Sequence, residues 1–431
     1  LILKPIAEIR DPVHGYVKIT EVERDLIDSP FIQRLRRIHQ LAGAYLVYPG
    51  AVHSRFEHVV GTMNVAGMIA ESLSKRTGVV NDEIQEVRLA ALLHDAGHGP
   101  FSHMYEEVLT EKTDLTHEDI SQRVILETSI KDILEKHGFS PKKMSEFCVG
   151  KQTTKPPYMN EIIAGGHSAD IMDYLLRDSY FTGVEYGRVD IYRVIDSLYV
   201  VDNHLALDNA ALYAFEALLI ARYEMFKAVY FHRTVRAAEL MLVHSMTLAD
   251  EVLHLTDLSE MNDYLELTDE IVLQKLANLD GDTTNLREAR RLANDFRNRK
   301  LIKCVFERVI QRRDRTVDQL FGKSRVRNQV VLDLAEKASV DPIHIYLDVP
   351  TTPSVPYTSS REALRSITLV YDDAKKMRTK TVPIEDLPLV GSITGFVDIL
   401  RVYTGTEDRE KVAKATTALF DNEGFMTRIS V

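Results

Sequence analysis

Residues 88–103, Arg-Leu-Ala-Ala-Leu-Leu-His-Asp-Ala-Gly-His-Gly-Pro-Phe-Ser-His, constrain this chain more than any other stretch. The first half is apolar at helical spacing and ends in the adjacent pair His94 and Asp95. Two further histidines, His98 and His103, follow across a Gly-Pro turn that takes the backbone off the helix axis. An imidazole nitrogen beside a carboxylate oxygen suits a hard or borderline divalent ion, but two residues do not close a metal site. The pattern demands a second histidine upstream and a second carboxylate downstream, on helices that pack against this one.

The upstream histidine is His58, in the first turns of a helix whose small residues Gly61, Ala66, Gly67 and Ala70 permit close packing. Arg55 lies three residues earlier, where it can meet an anion. Downstream, Gly165 and Gly166 lead into a helix carrying Asp170, Asp173 and Asp178, which divide between two faces. Asp170 is the first carboxylate after the glycine turn and could face inward; the other two stay open as alternatives. The candidate ligands are therefore His58, His94, Asp95 and Asp170, in the order H…HD…D. Glu106 follows His103 by three residues on one helix face and can orient it. Thr116 is a helix cap placed just before His117.

With 431 residues, 45% of them hydrophobic, the chain can bury a large core, and a main domain plus an appendage is expected. Residues 6–20 read as a hairpin or extended lead-in around Asp11-Pro12-Val13-His14-Gly15. Helices are expected over 21–28 and 30–42, the second with Ser29 as cap and Pro30 in its first turn. Gln33, Arg34, Arg36, Arg37, His39 and Gln40 spread around that second helix and read as mostly solvent-facing. Residues 119–150 read as amphipathic helix, 210–253 as one long helix with Arg222, Tyr230 and His232 on it, and 257–320 as further helices. From about Asn328, short β-branched and aromatic segments at 343–349, 366–371 and 399–403 point to a small α+β region. The expected division is a helical domain over 1–327, its metal core at about 50–180, and an α+β region over 328–431.

Cys148 and Cys304 lie far apart and outside any C-x-x-C spacing, so reduced structural thiols are expected. No apolar run is long enough to span a membrane and the first residues lack signal-peptide features, which makes a cytoplasmic protein without membrane partners the expectation. The chain starts at Leu1 instead of methionine, so a few residues are expected to precede it. A net charge of −11 argues against a basic coat for duplex binding. The exception is 287–327, rich in arginine and lysine from Arg287 through Arg290, Arg291, Arg299, Lys303, Arg308, Arg313, Arg315 and Lys323 to Arg327. It reads either as a solvated helix face with i,i+4 pairs or as a surface for nucleotide phosphates or single-stranded nucleic acid.

Six motifs now stand in order: Asp11 to Gly15, Gln33 to Arg36, Arg55 to His58, His94 to His103, Thr116 to Glu118 and Asp170 to Tyr174. Over roughly residues 6–310 they make the chain resemble the HD-domain phosphohydrolases, specifically the deoxynucleoside triphosphate triphosphohydrolases. The resemblance implies a mainly α fold, an HD-domain helical core followed by the small C-terminal α+β appendage. It implies a divalent ion (Mn2+, Fe2+, Mg2+, Zn2+ or Ni2+) on His58, His94, Asp95 and Asp170. It implies attack at the α-phosphorus of a dNTP, with release of deoxynucleoside and triphosphate. His103 would protonate the leaving 5′ oxygen, with His98, His117 and Glu106 around the phosphates. Gln40 and Asp178 would hold the sugar 3′-hydroxyl, Tyr174 would lie beneath the sugar and Tyr230 would crowd out a 2′-hydroxyl. Arg55 and Arg222 would bind phosphates. Asp28 and Arg36 would read the guanine edge of an activating nucleotide at an interface of a homo-oligomer, dimer or tetramer.

Three positions depart from the family's vertebrate members. Glu106 replaces an aspartate, and Ile171 and Ala7 stand where lysines contact substrate and activator phosphates. Activator phosphates would then need another partner, for which 287–327 is available. Two competing readings are a phosphodiesterase acting on cyclic nucleotides or single-stranded nucleic acid, and a non-catalytic nucleotide sensor.

Overall fold

The computed structural model describes residues 3–77, 81–312, 324–349, 351–353, 366–373, 376–390 and 396–420. It is mainly helical with small sheets. Two compact units make up the chain: residues 1–225, 254–272 and 355–392 form one, and 226–253, 273–354 and 393–431 the other. The units do not follow chain order. Strand Lys303–Arg312 and helix Ser324–Ala338 lie in the same unit. Among the described residues, no helix is long and apolar enough to cross a membrane.

The first unit opens with a hairpin, Ala7–Asp11 paired antiparallel to Gly15–Ile19. Asp11 sets its turn: Oδ1 accepts the backbone N–H groups of Val13 and His14, and Gly15 takes φ +78°, a left-handed conformation glycine adopts without strain. Behind the hairpin, helix Arg55–Thr77 packs against both Asn81–Leu93 and Ala169–Thr182, and Val59, Met63, Ala66, Leu89, Ala90, Met172 and Leu175 on these helices are all buried. The small residues do what their spacing suggests. A Cβ on Gly61 would run into the Asp173 carboxylate and the Arg177 guanidinium, and one on Gly67 would meet the Arg88 side chain. Arg88 is itself buried and donates to both oxygens of Glu23, at 2.6 and 2.9 Å. Strands Leu198–Val201, His204–Asp208, Ser366–Asp373 and Lys376–Pro383 form a four-stranded sheet in this unit, with one parallel pair between the second and third.

Several helices are shorter than their local pattern suggests. The one expected over 30–42 stops at Arg34, tightens into a 3-10 turn at Leu35–Arg37 and gives way to irregular chain, with Ala42 at φ 41°. Residues 119–150 break into His117–Glu127, Ser129–Lys136 and Pro141–Phe147. Thr128 caps the second, Gly138 at φ +81° ends it and Pro141 starts the third. The long helix over 210–253 is divided into Leu212–Met225 and Arg233–Leu253 by a wide turn at Phe226–Tyr230, closed by an i→i+5 bond from Phe231 N–H to Phe226 O.

Arg34 corrects the expectation that the polar residues after Ser29 are solvent-facing. It is wholly buried, stacks 4.2 Å over the Tyr264 ring, and donates to the carbonyls of His98 (2.8 Å) and Leu267 (2.6 Å). Truncation would leave both carbonyls buried without donors, each costing about 1–3 kcal/mol. Arg34→Ala is therefore expected to lower the unfolding free energy by about 2–5 kcal/mol. A urea titration showing less than about 0.5 kcal/mol of change would contradict it.

In the second unit, helices Arg233–Leu253 and Thr284–Arg297 pack together, and Lys303–Arg312 is a strand where helix was expected. It pairs antiparallel with Phe396–Thr404, which also pairs with Ile345–Asp348 and Thr351–Pro353. Helices Ser324–Ala338 and Arg409–Phe420 cover this sheet through Leu334, Ala335, Val402, Val412 and Phe420. Asn328, where shorter segments were expected to begin, lies inside the first of those helices. The C-terminal α+β character is as expected.

The described residues of the basic stretch 287–327 are spread over a helix, a strand and the start of a second helix. Arg290 donates to Leu279 O, and Arg291 is paired with Glu288 and Asp295 at helical spacing. Arg313, Arg315 and Lys323 lie outside the described residues.

Candidate metal centre

Four side chains from three helices meet in the first unit. His58 comes from the first turns of Arg55–Thr77, His94 and Asp95 from the end of Asn81–Leu93, and Asp170 from the first turn of Ala169–Thr182, which Ser168 caps. One ligand atom each of His58, His94 and Asp95 lies within 4.8 Å of the others. Asp170 Oδ1 is 3.2 Å from His58 Nε2 and 3.8 Å from His94 Nε2. Asp95 Oδ2 is 3.5 Å from His58 Nε2, and its Oδ1 is 3.3 Å from His94 Nε2. His58 and Asp95 are buried, whereas the Asp170 side chain is 35% exposed and marks the open side.

The hydrogen bonds behind the histidines decide which nitrogen each presents. His94 Nδ1 lies 2.7 Å from Ala91 O, which only accepts, so Nδ1 carries the proton and Nε2 keeps its lone pair. His58 Nδ1 lies 2.8 Å from Asp173 Oδ2. Asp173 is held well below the usual carboxylate range: burial opposes its charge, but Arg177, His14 and His58 outweigh it. An ionised Asp173 accepts, so with no ion bound His58 also donates from Nδ1. Both Nε2 atoms are buried without a hydrogen-bond partner among the described residues.

Two imidazole nitrogens and two carboxylates aimed at one small volume are a donor set for a divalent ion with open positions, His58 giving up its Nε2 proton when the ion binds. The electrostatics agree. Burial opposes charge on His58, yet the carboxylates of Asp170, Asp173 and Asp95 lift its pKa to about 10. Asp95 is held well below its ordinary value by His94, His98 and Arg55 against the opposing effect of burial. The cluster favours positive charge, which an ion of charge two would supply.

A second cluster adjoins the first. His98 Nε2 is 3.4 Å from Asp95 Oδ1, and the His98 ring stacks on His117 with centroids 4.0 Å apart. Burial, with help from the charges of Arg55 and His117, pushes the His98 pKa down and keeps it neutral. Glu106 joins the other two histidines, lying 3.0 Å from His103 Nδ1 and 2.6 Å from His117 Nδ1. Burial opposes the charge on Glu106, but those bonds hold it far below the ordinary carboxylate range; burial also opposes the charge on His117, which Glu106 nevertheless favours. The turn between the clusters is strained, with Phe101 at φ 59° and Ser102 at φ 57°. It is fixed by Asp269, which accepts from Phe101 N–H, and by Ser102 Oγ, which donates to His39 O and accepts from Arg55 Nε. Gly97 has no room for a Cβ against the backbone of His117 and Ile120, so the His117 helix lies flush on this turn.

The HD-domain model matches residues 55–178, from Arg55 to Asp178, and the HD associated region model matches 189–425, more than half of the chain. The chain belongs to the HD-domain family with an HD-associated region. Among its relatives, the uncharacterized protein YwfO of Bacillus subtilis is 35% identical over 284 residues, covering 61% of this chain and 64% of that one. A Dictyostelium discoideum protein named deoxynucleoside triphosphate triphosphohydrolase SAMHD1 homolog is 30% identical over 319 residues, 70% of this chain and 60% of its own. The chain thus spans under two thirds of either curated relative. A crystal structure of a hypothetical protein from Aquifex aeolicus is 31% identical, with a TM-score of 0.75, covering 95% of this chain and 99% of that one.

Other expected site residues of this HD-domain chain are less uniformly placed. Arg55 is buried and engaged with Asp95 (2.5 Å) and Ser102 instead of standing open to an anion. Arg222 Nε donates to Tyr174 OH at 3.0 Å. Asp178 lies 2.8 Å from His53 Nε2, and Gln40 N–H donates to His53 O, which brings Gln40 and Asp178 around one buried histidine. Tyr230 belongs to the second unit, edge-on to Phe226 in the wide turn. Asp28 is exposed at the end of Glu21–Ile27, and exposed Arg36 lies 3.5 Å over the Phe56 ring. Sequence reasoning missed Asp11, His14, Asp173 and Arg177 as a group. The Asp11 to Gly15 motif and the i,i+4 spacing of Asp173 and Arg177 were the available signals.

Proposed function

We propose that this protein is a metal-dependent hydrolase of deoxynucleoside triphosphates that releases deoxynucleoside and triphosphate. The observation that carries this reading is the pairing of two clusters. His58, His94, Asp95 and Asp170 would hold the ion, and Glu106 presents His103 and His117 beside them. Bound there, the ion would acidify a water and polarise a phosphoryl oxygen. In the balanced reaction a water loses one proton to solvent as its oxygen bonds the α-phosphorus, the bond to the 5′ oxygen breaks, and that oxygen takes a proton. His103 supplies the proton from Nε2, since Glu106 occupies Nδ1. His117, favoured in its charged form, and neutral His98 hold the phosphates. Arg55 fixes Asp95, Arg222 with Tyr174 serves phosphate and sugar, and Gln40 with Asp178 takes the 3′-hydroxyl. Ile171 removes one charged phosphate contact, typically worth about 1.5–3 kcal/mol, so triphosphate affinity is lowered.

The relative from Dictyostelium bears the matching name, which favours this reading over the phosphodiesterase and sensor readings. Separation of products after incubating the metal-loaded protein with each dNTP tests it. Deoxynucleoside with intact triphosphate is the expected outcome; pyrophosphate, an opened cyclic nucleotide as the better product, or no turnover would each overturn it.

Regulation by a guanine nucleotide in a homo-oligomer belongs to the same proposal. Exposed Asp28 would accept from the base N–H groups and Arg36 would donate to its carbonyl. The second unit independently holds a cavity of about 380 Å3 lined by Arg233, Arg299, Lys303 and Arg409, two of them from the basic stretch. That lining favours polyphosphate recognition by the stretch over a continuous nucleic-acid face. GTP or dGTP is expected to raise both the dATP hydrolysis rate and the scattering mass in wild type, and Asp28→Ala to blunt both. Unchanged rate and mass in wild type would remove the regulatory site from the proposal.

A further inference from the structure

The Asp11 to Gly15 turn is distant in sequence from every candidate ligand, yet its side chains end on one of them through a single intermediary. His14 Nε2 lies 2.6 Å from Asp173 Oδ1, and Asp173 Oδ2 lies 2.8 Å from His58 Nδ1. Arg177 brackets the same carboxylate, donating from Nε to Oδ2 (2.9 Å) and from a terminal nitrogen to Oδ1 (2.8 Å), while its other terminal nitrogen donates to Asp11 Oδ2 at 2.9 Å. All these side chains are buried, His14 at 1% exposure and Asp173 and Arg177 at 0%. Asp11 thus serves twice: one oxygen folds the turn that carries His14, and the other anchors the arginine that holds Asp173.

We infer that this turn is a lock on the metal centre, with His14 a positioning residue that acts through Asp173 on His58. The inference rests on the reading of His58, His94, Asp95 and Asp170 as metal ligands. Asp173 only accepts, so His14 and His58 both donate to it, one at each oxygen. His14 Nδ1 is buried without a hydrogen-bond partner among the described residues, so no second bond competes for the His14 proton. With Oδ1 taken by His14 and Arg177, the carboxylate is fixed in rotation and Oδ2 is aimed at His58 Nδ1. That fixes a proton on Nδ1, points Nε2 toward Asp95 and Asp170, where it would bind the ion, and makes the imidazole a stronger ligand. Gly61 completes the arrangement by letting the His58 helix close directly on the Asp173–Arg177 pair.

Loss of such an outer partner typically weakens metal binding about 10–100-fold. The test is the Mn2+ affinity of the full chain, by equilibrium dialysis, in wild type, His14→Phe, His14→Gln and Asp11→Asn. Each variant's unfolding temperature is recorded in excess chelator. A purely structural role would lower the chelated unfolding temperature and leave the affinity of the folded protein unchanged. Expected instead is a 10–100-fold weaker affinity in folded His14→Phe, with most of it restored in His14→Gln, whose amide N–H can replace Nε2–H. Wild-type affinity in folded His14→Phe overturns the inference, as does an equal loss in the Phe and Gln variants. Should His14→Phe fail to fold, Asp11→Asn decides. It keeps an oxygen for the turn but removes the charge from Arg177, so weakened affinity supports the lock and undiminished affinity overturns it. Failure of the metal reading itself looks different, because wild type would then take up no stoichiometric Mn2+.

Discussion

Asp95→Ala is expected to abolish both bound metal and nucleotide hydrolysis. Asp95 touches four side chains of the site: Arg55 at 2.5 Å, His94 at 3.3 Å, His98 at 3.4 Å and His58 at 3.5 Å. Its removal takes away a charged candidate ligand and leaves the Arg55 guanidinium buried with the Ser102 hydroxyl as its remaining side-chain partner among the described residues. Breaking one side of a buried ion pair costs about 3–5 kcal/mol, so a loss of activity alone would not separate lost metal from a damaged fold. Metal analysis of the dialysed protein beside a denaturant titration separates them, and Asp170→Ala gives a second check because its side chain is 35% exposed. Undiminished metal stoichiometry in folded Asp95→Ala would show that the ligand assignment is wrong.

The parts of this site visible in sequence are those whose partners lie within a few residues. His94 and Asp95 are adjacent, Arg55 and His58 are one turn apart, and Glu106 follows His103 by one turn, so each pair is legible from spacing. Its place after the glycine turn marks Asp170 as candidate ligand, while spacing alone keeps Asp173 open: one turn separates the two, and both reach the imidazole of His58, one near Nε2 and the other at Nδ1. Arg34 was misread because an arginine among polar residues is ordinarily solvated, and its carbonyl partners lie 64 and 233 positions away. The strand Lys303–Arg312 shows the same limit in the fold. Its apolar residues Val305, Phe306, Val309 and Ile310 fit either period, and the partner that selects the strand, Phe396–Thr404, lies far downstream. The helical core and the α+β character of the C-terminal region were legible because periodicity and β-branched content are local properties.

His103→Ala is expected to retain metal and substrate binding while slowing turnover about 10²–10⁴-fold, the usual contribution of a general acid. The side chain suits the task in three respects. It is 61% exposed, so it can meet a substrate oxygen, and its removal leaves no buried partner stranded except Glu106, which keeps His117. It begins helix His103–Thr113 directly after the strained Phe101–Ser102 backbone, which Asp269, His39 and Arg55 hold in place. Glu106 fixes the ring through Nδ1 and so sets where Nε2 points. The same geometry makes His117 the alternative acid, since it shares Glu106 and is favoured in its charged form. Single-turnover rates at saturating dNTP distinguish the two. If His103 is the acid, His103→Ala loses the larger factor and a substrate with a better leaving group at the 5′ position recovers it, because that leaving group needs no proton. His117→Ala would then chiefly weaken phosphate binding and would not be recovered by the better leaving group. Near-normal turnover in metal-loaded His103→Ala would assign the proton to His117.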